Sequence, residues 1–255
     1  MSDLSITRQG HVATVTIDRP PNNHVSVDLM SALADQLEAL DKDPGIRATV
    51  LAAAGKAFCA GADLVAPDGI AGNGMGGINA LYDQAVRLFS IEKPVIAAVQ
   101  GAAVGAGLGL ALVADFRIAS PEARFAANFV KLGFHPGFGL THTLPRTIGQ
   151  QKADLMFLTA RRIKADEALT WGLVDQVVPS SDLLATAQAL AAEIAENAPL
   201  AVVATRKTLR GALAAAVRAQ TNHEHAEQTV LRATEDFAEG VRAVQERRPG
   251  NFQGR

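Results

Sequence analysis

Lys93-Pro-Val-Ile-Ala-Ala-Val-Gln-Gly-Ala-Ala-Val-Gly-Ala-Gly-Leu-Gly-Leu-Ala-Leu-Val-Ala-Asp115 is the stretch on which the fold turns. Pro94 to Val99 is a charge-free, Val/Ile-containing run of the kind that forms a strand buried on both faces. Gly101 to Ala114 then reads as a tight turn feeding an apolar helix. Small residues at a strand end let backbone approach a ligand closely. Peptide N–H groups at a helix start lack intrahelical acceptors and sit at the positive end of the dipole. The same glycines equally permit close helix–sheet packing, and spacing alone leaves both readings open.

Upstream, Ile46 to Ala53 predicts a second buried strand, ended by Gly55 and followed by Lys56-Ala-Phe-Cys-Ala-Gly-Ala-Asp-Leu64. Leu4 to Asp18 alternates apolar and polar residues on both sides of Gln9-Gly10, which predicts an antiparallel hairpin turning at Arg8 to His11. After Pro20-Pro21, where proline forbids a helix, Leu29, Leu33, Leu37 and Leu40 recur at helical spacing, with Ser26 as N-cap. Downstream, Asp115 to Ser120 and Ala123 to Ala127 predict short strands. Helices follow over 138–158, 164–171, 181–196, 199–212 and 216–245. Strand, helix, strand alternation implies right-handed crossovers and a largely parallel sheet. The fold class is therefore α/β, with a core over 1–197 and a helical C-terminal subdomain over 198–255.

Bulk properties narrow the function. The 255 residues carry 24 Lys+Arg against 26 Asp+Glu, a net charge of −2, so there is no basic surplus for nucleic acid. A single cysteine closes no intrachain disulfide, and no Cys/His cluster has metal spacing. No apolar run of about twenty residues predicts a membrane span, and Met-Ser-Asp passes directly into a strand-like segment. A cytoplasmic, reduced setting is expected, with no metal and no membrane partner. Gly72-Asn-Gly-Met-Gly-Gly77 satisfies G-x-G-x-x-G, but no strand immediately precedes it. It reads as part of a loose Gly/Pro-rich loop over 67–77 rather than a dinucleotide site.

Ile17-Asp-Arg-Pro20, Lys56 to Leu64, Lys93 to Asp115, Lys131-Leu-Gly133 with Pro136-Gly137, Arg162-Ile-Lys-Ala-Asp-Glu-Ala168, Trp171-Gly-Leu-Val-Asp175, and Glu246-Arg-Arg248 with Phe252 occur in this order. With these pieces the chain resembles the crotonase superfamily, the enoyl-CoA hydratase/isomerase family, over nearly its whole length. The resemblance implies a spiral of ββα turns with a C-terminal helical trimerisation region, assembled as a homotrimer or a hexamer made of two trimers. It implies an acyl-CoA thioester as substrate, coenzyme A being part of that substrate and no separate cofactor being needed. Carried over by position, it makes the backbone N–H groups of Ala62 and Ala106 an oxyanion hole for a thioester enolate. His24, Val25, Lys56, Ala60, Asp63, Leu64, Gly105, Pro136 and Gly137 fall at substrate-binding positions, and the loop from Gly69 to Gly77 at a lid.

The departures from the family pattern are as informative. Its hydratases use two glutamates, and the matching positions here are Gly109 and Phe129, which also fall on the acyl pocket. Neither moves a proton. His135, in Gly133-Phe-His-Pro-Gly137, is the leading replacement base, histidine being well matched to neutral pH. The alternatives are a turn histidine bonded to backbone, and for the whole protein a non-catalytic acyl-CoA-binding module. A hydrolase, decarboxylase or C–C hydrolase acting on the same thioester also stays open.

Overall fold

A computed structural model of the chain describes residues 3–62 and 74–255. The expected hairpin forms from β1 (Leu4–Gln9) and β2 (Val12–Ile17), paired antiparallel from Leu4–Ile17 to Gln9–Val12. Next comes α1 (Val27–Lys42), whose first turn is closed by Ser26 Oγ accepting from Leu29 N at 3.2 Å. β3 (Ala48–Ala53), β4 (Ala57–Cys59), α2 (Gly74–Phe89), β5 (Val95–Val99), β6 (Ala102–Val104) and α3 (Ala106–Val113) follow. Then come β7 (Phe116–Ala119), β8 (Arg124–Ala126) and a 3-10 turn over Phe129–Leu132.

The six-stranded sheet runs β1-β2-β3-β5-β7-β10, where β10 is Gln176–Val177; only its first pair is antiparallel. Alternation along each strand divides its residues between two cores. Val15, Leu51, Ala97 and Val99 face the larger one, beneath α1, α2 and α3. Val12, Val50, Ile96 and Ile118 face Leu183, Ala187, Ala191 and Ala195 of a later helix, α7 (Leu183–Ala195). Four residues apart, these side chains form one stripe, and its three alanines let the helix lie close to the sheet.

A second sheet, β4-β6-β8-β9 with β9 at Arg162–Lys164, is made of three-residue strands, too short to show a period in the sequence. Its strand ends carry the glycines noted above, and these differ in what surrounds them. A Cβ on Gly101 would overlap the Lys56 carbonyl, and one on Gly107 the Cys59 carbonyl, so these two permit backbone packing. Gly105 is the N-cap of α3, at φ +55°, and opens onto a cavity.

Two long helices expected from the sequence are each divided. The 138–158 stretch is α4 (Leu140–Ile148) and α5 (Gln150–Thr159), separated by Gly149 at φ +81°. The 216–245 stretch is α9 (Leu213–Leu231) and α10 (Glu235–Gln245), where Thr234 Oγ1 caps the second helix by accepting from Phe237 N at 3.1 Å. Between these regions lie α6 (Ala165–Thr170) and α8 (Pro199–Arg210). Asp115 anchors α8: its carboxylate accepts from Arg206 Nε at 2.8 Å, Arg210 Nε at 3.0 Å and Val95 N at 2.9 Å. α9 packs against α2, and α10 lies on the 3-10 turn, with Gly240 set directly against Leu132.

Candidate active site

Where the second sheet ends, the segments around Ala60–Ala62 and Val104–Ala106 meet at the wall of a cavity of about 370 Å³. The opposite walls come from α2 (Ile78, Leu81, Tyr82), the 3-10 turn, Phe134 to Phe138, and the C-terminal helices. The Gly61 and Gly105 segments are in close contact: a Cβ on Gly61 would lie 2.7 Å from Val104 O and 3.8 Å from Ala106 N. Ala106 is the first residue of α3, so its N–H has no intrahelical acceptor.

The Ala62 segment is held from the N-terminal side. Val25 pairs with Ala62 in an isolated parallel bridge, and Val25 N donates to Gly61 O at 2.9 Å. The buried Asn23 side chain donates to Ala54 O and Ala57 O, both at 2.8 Å, and Arg19 Nη1 donates to His24 O at 2.7 Å. The His24 ring thereby reaches the cavity wall, its Nδ1 lying 3.2 Å from Gly61 O.

Of the residues named from the sequence, His24, Ala60, Ala62, Gly105, Ala106, Phe129 and Gly137 line this one cavity. Val25 is buried behind it, and Lys56 is exposed on the strand connection away from it. Asp63 and Leu64, with most of the proposed lid, lie outside the described residues; Gly74 to Gly77 begin α2. His135 and Pro136 are not in the described wall. Instead, His135 Nδ1 is 2.7 Å from Pro136 O, and the ring packs edge-on to His223 at 6.0 Å. Gly109 is buried in α3, where a Cβ would lie 2.5 Å from Cδ1 of Phe138, itself at φ +64°.

Sequence reading missed the part of the wall contributed from far along the chain: Asn128, Gln228, Arg232, Phe237, Val241 and Val244. No local pattern marks these positions. Tyr82, on α2, is 4% exposed and donates to Gln228 Oε1 at 2.7 Å. Gln228 Nε2 in turn donates to His135 O at 2.8 Å, tying α2, α9 and the 135–139 turn together. Burial pushes the Tyr82 phenol above its ordinary value, and the charge of Glu224 adds to this.

Glu224, fully buried one helical turn before Gln228, accepts from Gly139 N at 2.7 Å, Thr141 N at 3.0 Å and Thr141 Oγ1 at 2.6 Å. A carboxylate on the first N–H groups of α4 is well placed for that helix dipole. Burial nevertheless outweighs the three donors and raises the group to about 7. Cys59, beneath α3, has its thiol pushed up to about 12 by burial. No group of three or more metal-ligating side chains converges among the described residues, and no helix among them is long and apolar enough to cross a membrane.

Comparison with known proteins places this geometry. The family model for enoyl-CoA hydratase/isomerase matches residues 7–255. The chain is 38% identical to the 2,3-dehydroadipyl-CoA hydratase of Escherichia coli K12 over the full length of both. It is 35% identical to the carnitinyl-CoA dehydratase of Salmonella typhi, over 99% of this chain and 98% of that one. Among solved structures, an enoyl-CoA hydratase/isomerase from Pseudoalteromonas atlantica T6c superposes with a TM-score of 0.89 at 33% identity, covering 99% of this chain and 100% of the other. An enoyl-CoA hydratase from Mycobacterium avium subsp. paratuberculosis K-10 gives 0.85 at 30% identity, covering 99% of each. Matched in sequence and in architecture from end to end, the chain belongs to the enoyl-CoA hydratase/isomerase family, with the crotonase fold.

Proposed function

We propose that the chain is an enzyme acting on acyl-CoA thioesters, holding the thioester oxygen between the N–H groups of Ala62 and Ala106. The observation that carries this reading is the convergence of the Gly61–Ala62 and Gly105–Ala106 backbones on one cavity wall. Two preorganised donors aimed at a developing oxyanion stabilise it more than water does, because they need no reorganisation when charge forms. The cavity beyond them is lined mainly by Ile78, Leu81, Leu132, Phe134 and Phe138, which suits an acyl chain. The names of the relatives, a hydratase and a dehydratase of CoA thioesters, support the substrate class.

The same reading sets this chain apart from a two-glutamate hydratase. Position 109 is glycine beneath the Phe138 ring, and position 129 is a phenylalanine whose Cζ lies 3.6 Å from where a Gly105 Cβ would stand. General acid–base groups contribute roughly 10²–10⁴-fold, so the proton-moving group is another one or is absent. That absence favours a second reading, a protein that binds acyl-CoA without turning it over.

We also propose assembly as a homotrimer or a hexamer, for which the exposed Leu158, Leu200, Leu209 and Val230 supply apolar surface, and a cytoplasmic setting. Light scattering tests the assembly.

Calorimetry with enoyl-, 3-hydroxyacyl-, malonyl- and β-ketoacyl-CoA, followed by product analysis, tests the function. Binding with turnover is expected. Binding without product favours the second reading, and no binding overturns both.

A further inference from the structure

We propose that the chain takes acyl-CoA thioesters whose acyl chain ends in a second carboxylate, and that Arg232 recognises that carboxylate. This rests on the acyl-CoA reading above and adds the chemistry at the far end of the substrate.

Charge marks the position. The cavity wall consists of aliphatic and aromatic side chains, small residues, two amides, a phenol and an imidazole. Among the described wall residues Arg232 alone is permanently charged, and no Asp, Glu or Lys accompanies it. A half-buried guanidinium on an apolar cavity is costly to desolvate without a group of opposite charge. A methyl-ended chain seated there would strip water from it and offer no hydrogen bond in return. A carboxylate would meet it with paired acceptors, the geometry that the planar guanidinium fork matches.

Packing holds the cation in place. Arg232 closes α9, its N–H donating to Gln228 O at 3.0 Å, and its guanidinium carbon lies 5.9 Å from the Phe237 ring centroid. The Phe237 ring is itself 5.0 Å from that of Phe134, centroid to centroid. A guanidinium over an aromatic face keeps its in-plane N–H groups for a ligand. Its five donors leave room for a carboxylate beside any other partner. The acids in the first turn of α10 are engaged with the C-terminal tail: Asp236 accepts from Gln253 N at 2.7 Å and Gly254 N at 2.8 Å, and Glu235 pairs with Arg255 at 3.0 Å.

The wall also sets Arg232 apart from the proposed oxyanion donors. From the Gly105–Ala106 peptide it passes to Phe129, whose Cζ lies 3.6 Å from where a Gly105 Cβ would stand, and along the 3-10 turn to Leu132 and Gly133. There it meets α10, where a Cβ on Gly133 would lie 2.7 Å from Asp236 O. The Arg232–Phe237 pair comes next, so the whole 3-10 turn lies between it and Ala106. An acyl chain anchored at its thioester crosses Leu132 and Phe134 to reach it. The phosphates of CoA stand a pantetheine arm away from the thioester, whereas Arg232 shares one cavity of about 370 Å³ with the donors, which favours the acyl carboxylate over a phosphate.

Adipyl-CoA and hexanoyl-CoA have equal chain lengths and differ only in the terminal group, as do glutaryl-CoA and pentanoyl-CoA. Calorimetry on the full chain should show the carboxylated member of at least one pair binding about 10-fold or more tightly than its methyl-ended partner. Arg232→Met should remove that preference by weakening the carboxylated thioester alone. Arg232→Lys, which keeps the charge without the fork, should lie between, and it carries the test should the methionine variant not fold. Equal affinities within both pairs in the wild type overturn the proposal. So does an equal loss on both members in Arg232→Met, which would put Arg232 on the CoA phosphates. Binding of none of the four thioesters instead overturns the acyl-CoA reading beneath it.

Discussion

The Phe138 ring fills the space in front of the Gly109 Cα, so the two positions are coupled by volume. A carboxylate cannot be added at 109 without moving that ring. Gly109→Glu should lose at least about 3 kcal/mol from overpacking and a buried unpaired charge. Phe138→Ala empties a buried site and is costly on its own, so the double variant should lose less than the sum of the two single losses. Urea denaturation of the two single variants and the double variant measures the coupling, and simple additivity would show that the ring is not the obstacle.

Ala106 offers a way to delete one proposed oxyanion donor without disturbing the helix. It occupies the first position of α3, where proline is well tolerated. Ala106→Pro replaces the N–H with a ring methylene that points where the thioester oxygen would sit, and should lower kcat at least about 10²–10³-fold on whichever thioester the wild type turns over. Unaltered kcat would remove Ala106 from the mechanism.

Glu224 makes stability depend on pH in the direction opposite to most salt-bridged acids. Its folded value is raised from 4.5 to about 7, so between these limits the folded chain keeps a proton that the unfolded chain has released. Stability should therefore fall as pH rises through this window, by roughly 3 kcal/mol from this group. Glu224→Gln should flatten that part of the profile. Denaturant midpoints of both proteins between pH 5 and pH 8 provide the comparison, and parallel profiles would refute it.

Asp115 is the shared partner of two largely buried guanidiniums, with Arg206 at 8% and Arg210 at 14% side-chain exposure. Asp115→Ala leaves both uncompensated and should cost about 3–5 kcal/mol. Hydrogen exchange should localise the loosening to α8. A loss below 1 kcal/mol would mean the arginines find other acceptors.

The fold was legible wherever one element carries its own periodicity. The β1–β2 hairpin, α1 with its Ser26 cap, and the buried strands β3 and β5 follow directly from alternation, helical spacing and apolar runs. The helix breaks were visible only as single residues: Gly149, and Thr234 followed by Glu235 and Asp236 at the start of α10. A continuous apolar pattern across them hid both. The four-stranded sheet was illegible because three-residue strands have no period to show. At the site, Ala62 and Ala106 were reached through the strand-end small residues and the family resemblance. Gln228 and Phe237 were not, because only tertiary packing brings α9 and α10 to the same cavity.

That last arrangement has a bearing on how the molecule is made. Wall residues run from His24 through Gly105 and Phe138 to Val244, so no short contiguous fragment contains the cavity. Contacts such as Gln188 to Thr14 and Arg47 to the Ala195 carbonyl, 174 and 148 residues apart in sequence, close only when distant segments meet. Topologies dominated by such distant pairings fold slowly. A chain still emerging during synthesis, lacking α10, lacks the part of the wall that Phe237, Val241 and Val244 supply. Ligand affinity therefore belongs to the finished molecule alone, and any thioester that binds should act as a reporter, and a stabiliser, of complete folding.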